Sequence, residues 1–169
     1  MTIIKLQPWE YVHANNVGIE RFVANWEKRN ALYYNQEFME DDRTATVAAA
    51  VCELAVAKAL NRYWHAHVWH ISEHKRYSDI PDVGKNIEVR RVRTGNGVAL
   101  RERQVGKGLF IYAAKAIMPE LMQVEILGWL PHDEAWDLGK PAHYDKTKTT
   151  RTVDCSLLRE FVPNEKMFI

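Results

Sequence analysis

The spacing of apolar residues predicts two helices in the first third of the chain. Residues 16–30 form the first, with Asn15 or Asn16 as its cap, and its apolar positions recur every three or four residues at Ile19, Phe22, Val23 and Trp26. A second, longer helix is predicted from about Thr44 to Trp64. Both helices carry one apolar side, so each is expected to pack against other parts of the fold.

Short apolar runs between turn residues then predict strands at residues 65–71, 87–92, 108–117 and 121–130. A short helix follows at residues 132–139, capped by Asp133 and closed by Gly139. Residues 152–162 are typical of a last strand or an irregular packed segment. A long helix, a run of strands and a short helix together predict an α/β (α+β) layered fold.

No linker divides the chain, and its 169 residues favour one domain. We therefore expect an N-terminal helical extension (1–43), a core (44–139) and a C-terminal tail packed on that core (140–169). The net charge of +1 gives no global case for nucleic-acid binding, so such a case depends on local clusters of charge. Two separate cysteines, no long apolar run and no signal-peptide pattern favour a reduced, cytoplasmic protein without a membrane partner.

One acidic residue lies on the wrong side of the second predicted helix. On a helical projection Glu53 falls in the middle of the apolar stripe, while the opposite side carries Lys58 and Arg62. An ionised carboxylate is costly to bury, so it must meet a cation, gain a proton or lie at a cleft. A structural ion pair with an arginine of the sheet is one explanation, and a functional site is the other.

The stretch "PDVGKNIEVR" (81–90) supplies two more acids. Glu88 and Arg90 are two residues apart in a strand, so they share one face. A helix packed on this sheet would direct Glu53 toward the strands that carry Asp82 and Glu88. Three converging carboxylates repel one another unless a cation lies between them, and Mg²⁺ prefers carboxylate oxygens.

This combination resembles the PD-(D/E)XK nuclease superfamily, and the resemblance covers about residues 44–130. Asp82 matches the motif aspartate, Glu88 the second motif acid, and Glu53 the helix acid that often completes the site. The resemblance implies a restriction-endonuclease-like core, in which helices flank a mixed sheet of four to five strands. The short spacing of the motif is similar to that of small phage-encoded members. The resemblance also implies Mg²⁺ or Mn²⁺ held by these three acids, and endonucleolytic hydrolysis of phosphodiester bonds in DNA.

Arg90 departs from the family pattern, which has lysine at this position. Arginine stays protonated and cannot act as a base, although it can orient a water or bind the scissile phosphate. Lys85 or Lys107 could supply an ammonium group instead. Alternatively, Arg90 neutralises Glu53 or Glu88 in an inert site, and the protein is a DNA-binding or assembly subunit.

Basic residues follow the motif and are candidates for contacts with DNA phosphates: Arg91, Arg93, Arg101, Arg103 and Lys107. In a regular strand Arg91 and Arg93 would lie on the face opposite Arg90. The histidines of residues 65–70 lack a full zinc-binding set, and we interpret them as part of a half-exposed strand. The aromatic-rich N-terminal helix offers another function, a protein-interaction module, and it is also a candidate homodimer interface.

Overall fold

The computed structural model describes residues 2–26 and 41–163. Two long helices are present: α2 (Asp42–Leu60) packs on one face of a four-stranded sheet, and α1 (Pro8–Ala24) packs on α2. The strands of this first sheet, in spatial order, are β1 (Thr2–Lys5), β5 (Gln123–Pro131), β4 (Phe110–Ala116) and β2 (Ile87–Arg91). β2 runs parallel to β4, whereas the other neighbouring pairs are antiparallel. The molecule therefore has the mixed α/β architecture that the sequence predicts, and β2 lies at one edge of its sheet.

A second sheet and a short helix cover part of the other face. This sheet has three antiparallel strands, in the order β3 (Gly97–Arg101), β7 (Thr150–Asp154) and β6 (Lys140–Pro141). Among the described residues, helices α3 (His74–Tyr77) and α4 (His132–Leu138) complete the regular structure apart from short 3₁₀ turns. Within the described ranges, no helix combines the length and hydropathy needed to cross a membrane.

The first helix differs from its prediction in both position and orientation. α1 begins after Gln7, with Pro8 in its first turn, so Asn15 and Asn16 lie within the helix and do not cap it. Its buried face consists of Ala14, Val17 and Gly18, together with Glu10 near its start, whereas the predicted apolar positions Ile19, Val23 and Trp26 are exposed. Small residues occupy the buried face of α1 because α1 and α2 approach each other closely. A Cβ on Gly18 would lie 2.4 Å from the Cα of Val47. Residues 27–30 of the predicted helix lie outside the described residues.

The second helix is confirmed, but it ends four residues before the predicted Trp64. Asp41 caps its start by accepting hydrogen bonds from the backbone N–H groups of Arg43 and Thr44. Asn61 ends it in the left-handed conformation, with φ 50°. Asparagine tolerates this conformation better than most residues do, which explains why the chain turns here despite the apolar pattern beyond it.

The predicted strands at residues 87–92, 108–117 and 121–130 are confirmed as β2, β4 and β5. Residues 152–162, for which a last strand or an irregular packed segment was expected, are divided: 152–154 belong to β7, and the rest forms a 3₁₀ turn and irregular chain. The strand predicted at residues 65–71 is wrong. This segment is irregular, flanked by an isolated bridge between Trp64 and Val83 and by a 3₁₀ turn at Ile71–Glu73. The predicted helix at 132–139 is confirmed as α4, although Pro131 takes the capping position expected for Asp133.

The two faces of the first sheet bury different cores. Ile87 and Val89 of β2 pack with the apolar residues of α2. Glu88 and Arg90 alternate with them and pair in register with Ile111 and Ala113 of β4, which belong to the core beneath the second sheet. The acid–base pair on β2 thus points away from α2 and toward the second sheet.

Candidate functional site

Glu53 is buried on α2 and is held by an arginine from α1. Both of its carboxylate oxygens accept hydrogen bonds from Arg21, with Nη1–Oε1 2.7 Å and Nη2–Oε2 2.8 Å. The side chain of Arg21 is 13% exposed and that of Glu53 is 8% exposed, so this is a desolvated, bidentate ion pair. Glu53 therefore forms the ion pair with an arginine that was one of its two expected explanations, but this arginine lies on helix α1 and not on the sheet.

The surroundings of Glu53 affect its protonation in opposite directions. Burial and the nearby charge of Asp82 raise the pKa of Glu53, whereas Arg21 and the indole N–H of Trp64, which donates to Oε2 at 3.0 Å, act against this rise. For Arg21, burial alone would lower the pKa, but the charges of Glu53 and Asp82 raise it overall. Arg21 consequently remains a fixed cation inside the molecule.

Asp82 is buried beside β2, at the edge of the first sheet. Its Oδ2 accepts the backbone N–H of Val89 at 2.8 Å, and Nε2 of His67 lies 3.2 Å from its Oδ1. Since Nδ1 of His67 lies 3.4 Å from Nη2 of Arg21, the neutral tautomer with the proton on Nε2 satisfies both contacts. Burial by itself would raise the pKa of Asp82, but His67, Arg90 and the Val89 N–H together lower it. Asp82 is thus the anion at the centre of the site.

Glu88 and Arg90 form a second ion pair, on the other face of the sheet. Nη1 of Arg90 donates to Oε2 of Glu88 at 3.0 Å, Nε donates to the carbonyl of Ala99 at 3.1 Å, and Nη2 donates to Oε1 of Gln104 at 2.5 Å. Burial and the charge of Asp82 raise the pKa of Glu88 to about 7, despite the opposing effects of Arg90 and Gln104. Glu88 therefore exchanges its proton near neutral pH.

Together these residues form a buried cluster in which acids outnumber arginines. Asp82 lies within electrostatic reach of both Glu53 and Glu88, and each of those two acids has its own guanidinium group. Three carboxylates thus share two arginines and the imidazole of His67, which lies 3.2 Å from Asp82. Within residues 2–26 and 41–163, no group of three or more His, Cys, Asp or Glu side chains is arranged to hold a metal ion.

The basic residues predicted to contact DNA divide into two groups. Arg101 lies close enough to Arg90 and Arg103 for their charges, added to its burial, to lower its pKa. Lys107 pairs with Asp79, Nζ–Oδ1 2.5 Å, and Arg103 is also close to this aspartate. Arg91, by contrast, is on the helix side of the sheet near Cys52, as strand alternation predicts. Arg93 lies half-buried just beyond the end of β2.

Three residues of the cluster were not among the candidates: Arg21, His67 and Gln104. Arg21 could have been found from its spacing, since it lies one helical turn beyond Val17 and Gly18 on the buried face of α1. His67 was assigned to a strand that does not form. Gln104 lies in a 3₁₀ turn after β3, and no pattern in its neighbourhood distinguishes it.

Comparison with known proteins adds no relative to this description. No family model, no curated protein and no solved structure matches the chain. The candidate site is accordingly interpreted from its own geometry and charge.

Proposed function

We propose that the protein is a metal-dependent nuclease that hydrolyses phosphodiester bonds in DNA, built on a restriction-endonuclease-like core of the PD-(D/E)XK type. The observation that supports this proposal is the buried cluster of acids around Asp82, in which the negative charge of Asp82 raises the pKa of both Glu53 and Glu88. A divalent cation would neutralise this charge, and the arginines beside it would attract a polyanion. The four-stranded mixed sheet with flanking helices is compatible with such a core.

Asp82 and Glu88 suit a hard divalent ion better than the full set of three acids does. Mg²⁺ is often bound by one or two carboxylates, several waters and the phosphates of the substrate, so two acids suffice. Both oxygens of Glu53 are engaged by Arg21 and Trp64, which makes Glu53 an anchor of the cluster. A bound Mg²⁺ or Mn²⁺ would supply Lewis acidity toward a water and the scissile phosphate.

Arg90 takes the role of a phosphate-binding group in this proposal. Its guanidinium group is fixed from three sides, by Glu88, the Ala99 carbonyl and Gln104, and it stays charged throughout. Together with Arg101 and Arg103 it forms a positive region beside the acids. Charge on the phosphate would be stabilised there, while the proton of the attacking water goes to solvent or to an acid of the cluster.

A second function has its own supporting observation. Arg21 and Arg90 already hold Glu53 and Glu88 in short hydrogen bonds, the arrangement expected of an inert site retained for structure. In that case the basic residues would bind DNA without cutting it, as in a DNA-binding or assembly subunit. The two functions differ in one respect only, which is hydrolysis.

Plasmid cleavage separates these functions. Supercoiled plasmid is incubated with the wild type and with Asp82→Asn and Glu88→Gln, in Mg²⁺ or Mn²⁺ and in EDTA. The matched control is Glu20→Gln, an exposed acid on α1. We expect metal-dependent nicking by the wild type and the control, and its loss in both site variants. Folded wild-type protein that leaves the plasmid intact while binding it would refute the nuclease and favour the inert subunit.

A further inference from the structure

An aromatic cluster lies directly beside the candidate site. It contains Trp69, His74 and Tyr77, which we call the aromatic ledge. The ring centroids of His74 and Tyr77 lie 6.2 and 6.3 Å from that of Trp69. The ring of His67 lies on Trp69 with a centroid distance of 4.4 Å, and the same imidazole contacts Asp82. The ledge is therefore one residue away from the central acid of the site.

The aromatic ledge does not serve the interior of the protein. Neither hydrophobic core, as far as the described residues define them, has Trp69 or Tyr77 among its members. All three rings of the ledge are only partly buried. Clustered aromatic rings that stay partly exposed beside charged residues, instead of joining a core, are typical of binding surfaces.

Cationic groups border the ledge. The guanidinium of Arg76 lies 5.1 Å from the ring centroid of Tyr77. On the other side, Nη1 of Arg103 lies 3.1 Å from Nε2 of His74, and Nε1 of Trp69 lies 3.4 Å from its Nδ1. Arg103 and Trp69 can only donate, and a neutral imidazole has one acceptor nitrogen, so the two groups compete for it. Arg103 is exposed, and a guanidinium group has five N–H donors, so it can bind a phosphate oxygen while it contacts His74.

We propose that the aromatic ledge binds unpaired bases of single-stranded DNA next to the scissile phosphate; this inference rests on the nuclease function proposed above. Stacking on an aromatic side chain needs a base with an accessible π face, and duplex bases have both faces covered by their neighbours. Arg76 and Arg103 then bind the backbone on either side of the ledge. The site accordingly selects single-stranded DNA, or a strand that leaves a duplex, over continuous duplex DNA.

Binding without cleavage tests this proposal. A fluorescein-labelled 20-nucleotide dT strand and a labelled hairpin duplex are titrated in EDTA, with fluorescence anisotropy as the readout. We expect tighter binding of the single strand by the wild type, and about a tenfold loss of that affinity in Trp69→Leu. Duplex affinity should change less than about twofold, because its contacts are to phosphates alone. Trp9→Leu, an equally drastic change at a 70% exposed site on α1, should leave both affinities unchanged.

Two further variants guard against a misfolded protein. Trp69→Phe keeps a stacking ring and should recover most of the affinity for dT, whereas Tyr77→Leu should weaken it as Trp69→Leu does. Equal loss of single-strand and duplex binding in Trp69→Leu, or dT binding that none of these variants alters, would overturn the proposal. The binding assay in EDTA does not depend on cleavage, so the two proposals can fail separately. If the plasmid is not cut but dT binding depends on the aromatic ledge, the nuclease function is refuted and the binding role of the ledge is supported.

Discussion

Removal of Arg21 should expose how strongly the buried cluster depends on its cations. Arg21→Met keeps much of the side-chain volume but takes away the guanidinium that holds both oxygens of Glu53, at 2.7 and 2.8 Å. It also removes the donor to the His67 carbonyl, 2.8 Å from Nε. Breaking one partner of a buried ion pair leaves an uncompensated charge, so we expect a loss of about 3–5 kcal/mol in the free energy of unfolding at pH 7.

A double-mutant cycle measures the interaction itself. Urea unfolding of Arg21→Met, Glu53→Gln and the double variant should show that the double variant is destabilised by much less than the two single changes together. The cost of Arg21→Met should also depend on pH. Without its cation, the pKa of Glu53 in the folded state rises further above that of the unfolded chain. The folded state then binds more protons, and the variant loses stability as the pH increases.

The control for this experiment is Arg76→Met, because the Arg76 side chain is 73% exposed and its contact with Glu73 is at 4.0 Å. Surface ion pairs of this kind contribute about 0–1 kcal/mol, so Arg76→Met should unfold close to the wild type. An Arg21→Met variant within about 1 kcal/mol of the wild type, or strictly additive effects in the cycle, would refute the buried ion pair.

Two other changes follow from the same geometry. Because the pKa of Glu88 is raised to about 7, the folded state holds this proton more tightly than the unfolded chain does. Between about pH 4.5 and pH 7, the free energy of unfolding in EDTA should therefore fall by about 3 kcal/mol more in the wild type than in Glu88→Gln, as measured by urea unfolding. Parallel pH profiles of the two proteins would contradict this. Gly18→Ala should lower the melting temperature by an amount equivalent to about 1–3 kcal/mol, because the new Cβ would lie 2.4 Å from the backbone of Val47. This loss should occur although alanine favours the helical conformation over glycine. An unchanged or higher melting temperature would refute this close approach.

The parts of the fold that follow local rules could be predicted from the sequence. Apolar runs located β2, β4 and β5, and the helical stripe located α2, since buried faces impose their periodicity on the chain. The strands β1 and β3 were missed because their pairing partners are distant in sequence; β1, for example, pairs with β5. The strand β6 was missed because it has only two residues. Short strands have little periodicity of their own, and tertiary pairing decides them.

The candidate site could also be predicted only where local rules apply. The position of Glu53 in an apolar stripe correctly indicated a buried acid with a cation, and strand alternation correctly placed Glu88 and Arg90 on one face. Which cation serves Glu53 could not be predicted, because it depends on the packing angle between α1 and α2. The separation of Glu53 and Glu88 by the edge of the sheet, with Asp82 between them, likewise depends on the tertiary fold.

Metal binding by the acids around Asp82 is the central claim, and calorimetric titration with Mn²⁺ in the absence of DNA tests it most directly. Performed at pH 7 in buffers of different ionisation enthalpy, the titration should show one saturable site and a release of protons, because burial and Asp82 raise the pKa of Glu88 to about 7 and a metal ligand must be deprotonated. Proton release should disappear in Glu88→Gln, and binding should weaken strongly in Asp82→Asn but not in Glu20→Gln. Wild-type protein that binds no Mn²⁺, or binds it equally well without Asp82 and Glu88, would contradict the account.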